Sequence, residues 1–174
     1  MIASAFDLGE NIKLQTVEYV LHKPLWDKYP KPTTDFSFKN WQKIKFLNDT
    51  GTEFNSQIKH IPNNKGGIYM FFIKCEIISG ITEYPFYIGR AQLTEGHSLR
   101  ARVRSYFTTF SRNEERPKIT KMFKYWGAQL HLAFLELNDN TEIVDLEKYL
   151  INSLLLPMND QIPEKEIREA VKAF

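Results

Sequence analysis

The 174-residue chain has one cysteine, Cys75, which excludes an intramolecular disulfide and a cysteine-rich zinc module. A lone thiol fits a reducing interior. Long apolar runs are missing too. The longest spans six residues, Ile68 to Ile73, against the ~20 that a membrane-spanning helix needs. The opening MIASAFDLGENIK has neither a basic n-region nor a long apolar stretch, so no secretory signal is read and a cytoplasmic location is expected. Excess charge of one sign is also absent: 23 basic residues against 21 acidic ones leave +2. At face value this balance argues against a strongly basic protein coating nucleic acid or membrane. There is no internal repeat and no low-complexity tract.

What is present is the composition of an ordinary soluble globular protein, 43% apolar and 25% charged. The length fits one domain with at most a small appendage. Such a chain buries roughly 70% of its unfolded surface, enough to fold without staples. The 24 aromatics, 14% of the chain, are expected mostly in the core.

Residues 1–62 read as an N-terminal extension. A helix is predicted over about 10–22, then a loop holding Pro24, Pro30 and Pro32, then a second helix capped by Ser37 and ending near Gly51. Phe38, Trp41, Ile44 and Leu47 would form that helix's core face. From residue 63 to 174 the pattern changes to short strands and helices. Gly67–Lys74 and Pro85–Gly89 read as strands separated by a loop with Ser79-Gly80, and Ser98 caps a helix reaching about Thr108. A further helix runs from Pro117 to Gly127, a strand covers 128–137, and a helix runs from Thr141 to about Leu155 before Pro157. A last helix opens at Pro163 and reaches Phe174. The expected fold is α/β (α+β), with a small, mainly antiparallel three-stranded sheet flanked by helices.

Three features break the ordinary pattern. On the 141–155 helix, with Ile143 as origin, Glu147 falls at about 40°, between Leu150 at about −20° and Ile151 at about 80°. Asp145, Lys148 and Asn152 take the opposite, polar face. A carboxylate in an apolar stripe is costly unless it is paired or binds a cation; a buried Glu–Arg pair and a Glu snorkelling at the rim are the structural alternatives. On the Ser98 helix, Arg100 and Arg104 lie to one side of the apolar stripe, whereas Arg102 lies on the other with Tyr106 at i+4. Three solvated surface arginines would be the plain explanation. The third feature is a pair of tripeptides, Gly67-Ile68-Tyr69 and Tyr87-Ile88-Gly89, whose tyrosines can point to one side of a hairpin.

Taken in order, Gly67-Ile68-Tyr69, Tyr87-Ile88-Gly89-Arg90-Ala91, Leu99-Arg100-Ala101-Arg102 with Ser105-Tyr106-Phe107, Glu147, and Pro157 with Asn159 resemble the GIY-YIG nuclease superfamily. The likeness covers about Gly66 to Asp160. LRARVRSYF, and the step from Glu147 to Asn159, are most similar to the branch that makes incisions in nucleotide excision repair. The resemblance implies a metal-dependent DNA endonuclease. In it Glu147 would be the sole protein ligand of one Mg²⁺, with Mn²⁺ as a substitute, and Tyr69 the general base. Tyr87 would position the water or the scissile phosphate, and Arg102 would clamp that phosphate. Arg90 stands where relatives often carry lysine, and as a permanently charged guanidinium it can clamp phosphate or steady a phenolate but cannot be a base. Tyr106 would be a secondary site contact and Asn159 an anchoring hydrogen-bond group.

The chain departs from compact relatives. Eighteen positions separate Tyr69 from Tyr87, and the Arg90–Leu99 segment is longer and holds His97, taken as a loop residue. No zinc finger or helix-turn-helix reader is evident, so substrate choice would fall to residues 1–60, the enlarged loops or a partner. A restriction-type nuclease acting as a homodimer, and a nucleic-acid-binding module with a retired site, are the alternatives. The +2 total hides an uneven distribution: residues 90–124 carry nine basic and three acidic side chains, a net +6, while residues 125–174 carry four and nine, a net −5. The block comprises Arg90, Arg100, Arg102, Arg104, Arg112, Arg116, Lys118, Lys121 and Lys124, an expected track for a DNA backbone.

Overall fold

The computed structural model describes residues 4–78 and 80–173. Ser79 and the expected end of the last helix at Phe174 lie outside them. Among the described residues the fold is mixed α/β: six α-helices and a four-stranded, fully antiparallel sheet. The elements are α1 (Ala5–Gln15), α2 (Lys23–Lys28), β1 (Gln42–Lys45), β2 (Gly66–Lys74), β3 (Glu83–Ala91), α3 (Leu99–Ser111), α4 (Pro117–Trp126), β4 (Leu130–Leu137), α5 (Asn140–Leu154) and α6 (Lys165–Ala173). The strand order is β1-β4-β2-β3, so β3 is an edge.

Two expectations for the N-terminal part are corrected. The first helix starts and ends earlier, because Ser4 and Asp7 form a capping box and the chain turns extended at β-branched Thr16. The expected helix after Ser37 is a single 3₁₀ turn, Phe38–Asn40, followed by β1, the fourth strand of the sheet. A spacing of three fits one helix face, but it also fits opposite faces of a strand. Trp41 packs on the α5 side and Ile44 on the α3 side. Pairing with β4, Ile44 opposite Leu132, satisfies the backbone.

β2 explains the rest of the architecture. It is buried on both faces, with Tyr69, Phe71 and Ile73 in one cluster and Ile68 in the other. α3 and α4 cover the first face through Val103, Phe107, Met122 and Phe123; α5 covers the second through Ile143, Leu146, Leu150 and Ile151. An irregularity between Phe71 and Phe72 inserts one extra residue in β3, so Phe71 opposes Tyr87 while Phe72 opposes Pro85. The regular pairing before it, Tyr69 opposite Gly89 and Phe71 opposite Tyr87, sets Tyr87 on the same face as Tyr69, and the extra residue, Phe86, joins that face.

Caps set the helices that carry the site. Ser98 Oγ accepts from the Ala101 amide at 3.2 Å, and Asp139 accepts from the Thr141 and Glu142 amides at 2.6 and 3.1 Å. α5 ends on Leu155 in the left-handed region, φ 46°. This unusual turn for a branched residue reverses the chain along the free edge of β3, where the Met158 amide donates to the Phe86 carbonyl at 3.0 Å. Asn152, expected on the polar face of α5, is buried, and its Oδ1 accepts from the Glu164 amide at 3.2 Å, which ties the helix to the chain entering α6.

Candidate active site

A cleft of about 1150 Å³ opens beside the β3 edge, and Tyr69, Tyr87, Arg90, Arg102, Tyr106, Glu147 and Asn159 all line it. Strand alternation and helix phase bring these seven together from β2, β3, α3, α5 and the segment after α5.

The tyrosines form one hydroxyl chain. The Tyr69 and Tyr87 hydroxyls each lie 2.9 Å from that of Tyr106, and Arg102 donates to the Tyr106 hydroxyl at 3.2 Å with its guanidinium 4.9 Å from that ring's centre. Tyr69 is fully buried. It reaches the cleft by lying across its register partner Gly89, where a Cβ would stand 2.5 Å from the Tyr69 hydroxyl. Any side chain there would push the ring aside, which is why this strand position is glycine. Burial pushes the Tyr69 phenol well above its ordinary value, with Tyr106 and Tyr87 adding to the rise and Arg102 opposing it. Tyr87 is raised too, by burial and then Tyr106, with Arg116 pulling down. Both are neutral phenols near pH 7.

The carboxylate wall lies on the other side of the sheet's edge. Glu147 pairs with Arg90; the glutamate side chain is 13% exposed and the arginine 38%. Burial raises the Glu147 carboxyl above its ordinary value, against the pull of Arg90. Asn159 plays a structural part, since its Oδ1 accepts from the Ile88 amide at 3.0 Å and its Nδ2 donates to the Ile88 carbonyl at 2.8 Å. The side chain thereby satisfies the open edge of β3 between Tyr87 and Gly89.

The basic block divides. Arg90, Arg102 and Arg116 face the cleft. Arg100, Arg104 and Arg112 border a separate groove. Arg100 donates through Nε and one terminal nitrogen to the Ile61 and Lys59 carbonyls at 2.6 and 2.7 Å, and Arg104 lies over Phe54 at 4.8 Å. Lys118 and Lys121 border a third groove; Lys118 pairs with Asp160 at 3.3 Å, and Lys121 donates to the Thr16 carbonyl at 2.9 Å. Lys124 lies 5.4 Å from the Tyr125 ring centre. His97 lines the cleft from its loop, its Nδ1 3.1 Å from the Glu95 carbonyl.

The cleft residues that escape a reading of the sequence include Glu115, Arg168 and Lys172. The last two are i, i+4 on α6 and so share a helix face, a signal masked by the acidic total of their segment. Glu115 sits in a polar stretch with no periodicity to reveal its burial.

Among the described residues, no three histidine, cysteine or acidic side chains gather into a metal cage. The donor set fits a hard cation held by one carboxylate. Glu147 presents oxygen, and a carboxylate has about four lone-pair sites, so the Arg90 contact leaves room for a cation. No described helix is long and apolar enough to cross a membrane. Compared with known proteins, the chain matches no family model, no curated protein and no solved structure.

Proposed function

We propose that the chain is a metal-dependent endonuclease that hydrolyses phosphodiester bonds in DNA with a single-cation site of the GIY-YIG kind. One observation carries the proposal: the three hydroxyl-linked tyrosines, Arg102 and the Glu147–Arg90 pair line one cleft. Glu147 would hold Mg²⁺, or Mn²⁺ in its place. When bound, the cation supplies positive charge to the phosphate and the leaving oxygen.

The chain's own groups then account for the remaining steps. Arg102 offers a planar fork to the non-bridging oxygens and stabilises charge gained in the transition state. Tyr69, a neutral phenol, accepts the proton of the attacking water as its own proton passes along the 2.9 Å contact to the Tyr106 oxygen. Tyr106 passes a proton to the Tyr87 oxygen across the second 2.9 Å contact, and Tyr87 releases its own to solvent water at the cleft mouth, so the proton lost by the attacking water ends in bulk. A relay of this kind spares the site a standing phenolate, which burial disfavours. Arg90 holds Glu147 in place and adds positive charge beside it.

One such site cuts one strand, so a double-strand break requires two subunits or two encounters. Sequence-specific restriction and structure-specific repair differ in products: discrete fragments from plain plasmid in the first, cuts confined to flaps or lesions in the second. The test is nicking of supercoiled plasmid with Mg²⁺ or Mn²⁺. Wild type is expected to nick, and Glu147→Ala to lose at least ~10³-fold while keeping its circular-dichroism spectrum. Equal cutting by the variant rejects the proposal.

A further inference from the structure

We propose that Arg116 is a second phosphate clamp, gripping the scissile phosphodiester from the Tyr87 side of the cleft while Arg102 holds it from the Tyr69–Tyr106 side. It rests on the nuclease function proposed above and assigns a catalytic residue that the spacing of the motifs does not contain.

The mounting is the first argument. Arg116 caps α4 and precedes Pro117, and a residue before proline is confined to extended backbone; its φ and ψ are −60° and 149°. Its amide donates to the Glu115 carboxylate at 2.9 Å, and its carbonyl accepts from the Thr120 amide at 2.8 Å. The Thr120 hydroxyl donates to the Glu115 carbonyl at 3.1 Å. The sequence EERPKIT thus makes a stiff corner from what its composition presents as a loop. An arginine that only tracks a DNA backbone needs no such corner.

The second argument concerns the guanidinium. Its Nε is turned to Glu115 at 3.5 Å, and the Glu115 side chain is only 10% exposed. Its carbon lies 5.8 Å from the Tyr87 ring centre. With Nε held by the carboxylate, the two terminal nitrogens are left for Tyr87 and for whatever enters the cleft. Arg100, in contrast, turns Nε and one terminal nitrogen to backbone carbonyls and borders a different groove.

The third argument is need. A phosphoryl group in its transition state spreads charge over several non-bridging oxygens, and one edge of a planar fork makes two parallel bonds to them. Arg102 donates to Tyr106, the middle of the hydroxyl chain, and Arg116 lies beside Tyr87, one of its ends. A phosphate lying across the chain meets both.

The test is steady-state cleavage of a defined duplex oligonucleotide by the full chain at saturating Mg²⁺, comparing wild type, Arg116→Ala and Arg116→Lys. Arg116→Ala is expected to lower kcat by ~10²-fold and to hold KM within about threefold. Arg116→Lys keeps the charge without the fork, and is expected to regain no more than about a tenth of the wild-type kcat. The lysine variant also carries the test if the alanine variant fails to fold. A rise in KM with kcat unchanged would make Arg116 a backbone contact only and overturn the clamp. So would unchanged kinetics in both variants of an enzyme that cuts. A wild-type chain that cuts no substrate overturns the nuclease function and the clamp together.

Discussion

The tyrosine wall of the cleft, carried by β2, β3 and α3, and the carboxylate wall, carried by α5 and the end of β3, satisfy their polar atoms in different ways. On the first, the hydroxyls of Tyr69, Tyr87 and Tyr106 bond to one another behind buried rings, and Tyr69 is further confined by Gly89. Such groups have little freedom, because moving any one orphans another inside the core. On the second, Glu147 has one partner, and Arg90 is 38% exposed and mounted on an edge strand. Under the proposed function that pair would open for a cation and a phosphate, with Arg90 turning to water or to the phosphate. One wall is built in advance by packing, and the other is adjustable.

Substitutions on the rigid wall test this contrast most severely. Tyr69→Phe removes one hydroxyl from a closed network, and cleavage is expected to fall by ~10²–10³-fold in kcat; a loss under tenfold would mean that Tyr69 does no proton work. Gly89→Ala leaves every hydroxyl in place but puts a methyl where the Tyr69 ring lies. Its kcat is expected to drop by at least ~10-fold, because a displacement of about an ångström at a reacting group is already costly, and an unchanged kcat would show that the ring's seat is not confined.

Asn159→Ala opens the edge that both walls share. It leaves the Ile88 amide and carbonyl without their side-chain partner, for an expected loss of ~1–3 kcal/mol in chemical denaturation. Activity is expected to fall with it, because Tyr87 and Gly89 flank Ile88.

The smallest effect concerns pH. The folded-state values of Tyr69 and Tyr87 are raised, whereas an unfolded tyrosine titrates near ~10. Above that value the unfolded chain loses protons that the folded one keeps, so stability is full below about pH 10 and falls as pH rises further. The thermal midpoint is expected to decline at alkaline pH. The decline is expected to be shallower in Tyr69→Phe, and the tyrosinate absorbance of these two rings to rise only as the chain unfolds. Early ionisation at constant structure would contradict the burial of the hydroxyl chain.

How much of the structure is legible in the residue order varies with the kind of residue. β2, α3, α4, β4 and α5 fall close to their expected bounds because caps, prolines and alternation act locally. β1 does not, since a four-residue strand on a sheet edge is stabilised by β4, about ninety residues away in sequence, and no local propensity encodes that. The phase of Arg102 is legible from helix spacing, as is the odd position of Glu147. That Glu147 meets Arg90 is only one of several alternatives on that basis, because a helix wheel has no partner strand in it. Asn152 departs from its expected place for the same reason: the segment leading to α6 covers a face that the wheel leaves to water.

The sequence by itself determined which side chains were chemically out of place: a carboxylate in an apolar stripe, one arginine turned from its neighbours, two tyrosines beside glycines. Periodicity and the cost of burying charge are local properties, and they are written in the order of residues. Only the tertiary structure decided which of these meet. It joined three tyrosines through their hydroxyls, sent Arg100 to backbone carbonyls and Arg116 to the cleft, and turned Leu155 so that Asn159 closes an open strand. Those outcomes depend on contacts between segments far apart in the chain, where packing and hydrogen-bond satisfaction outweigh any local preference.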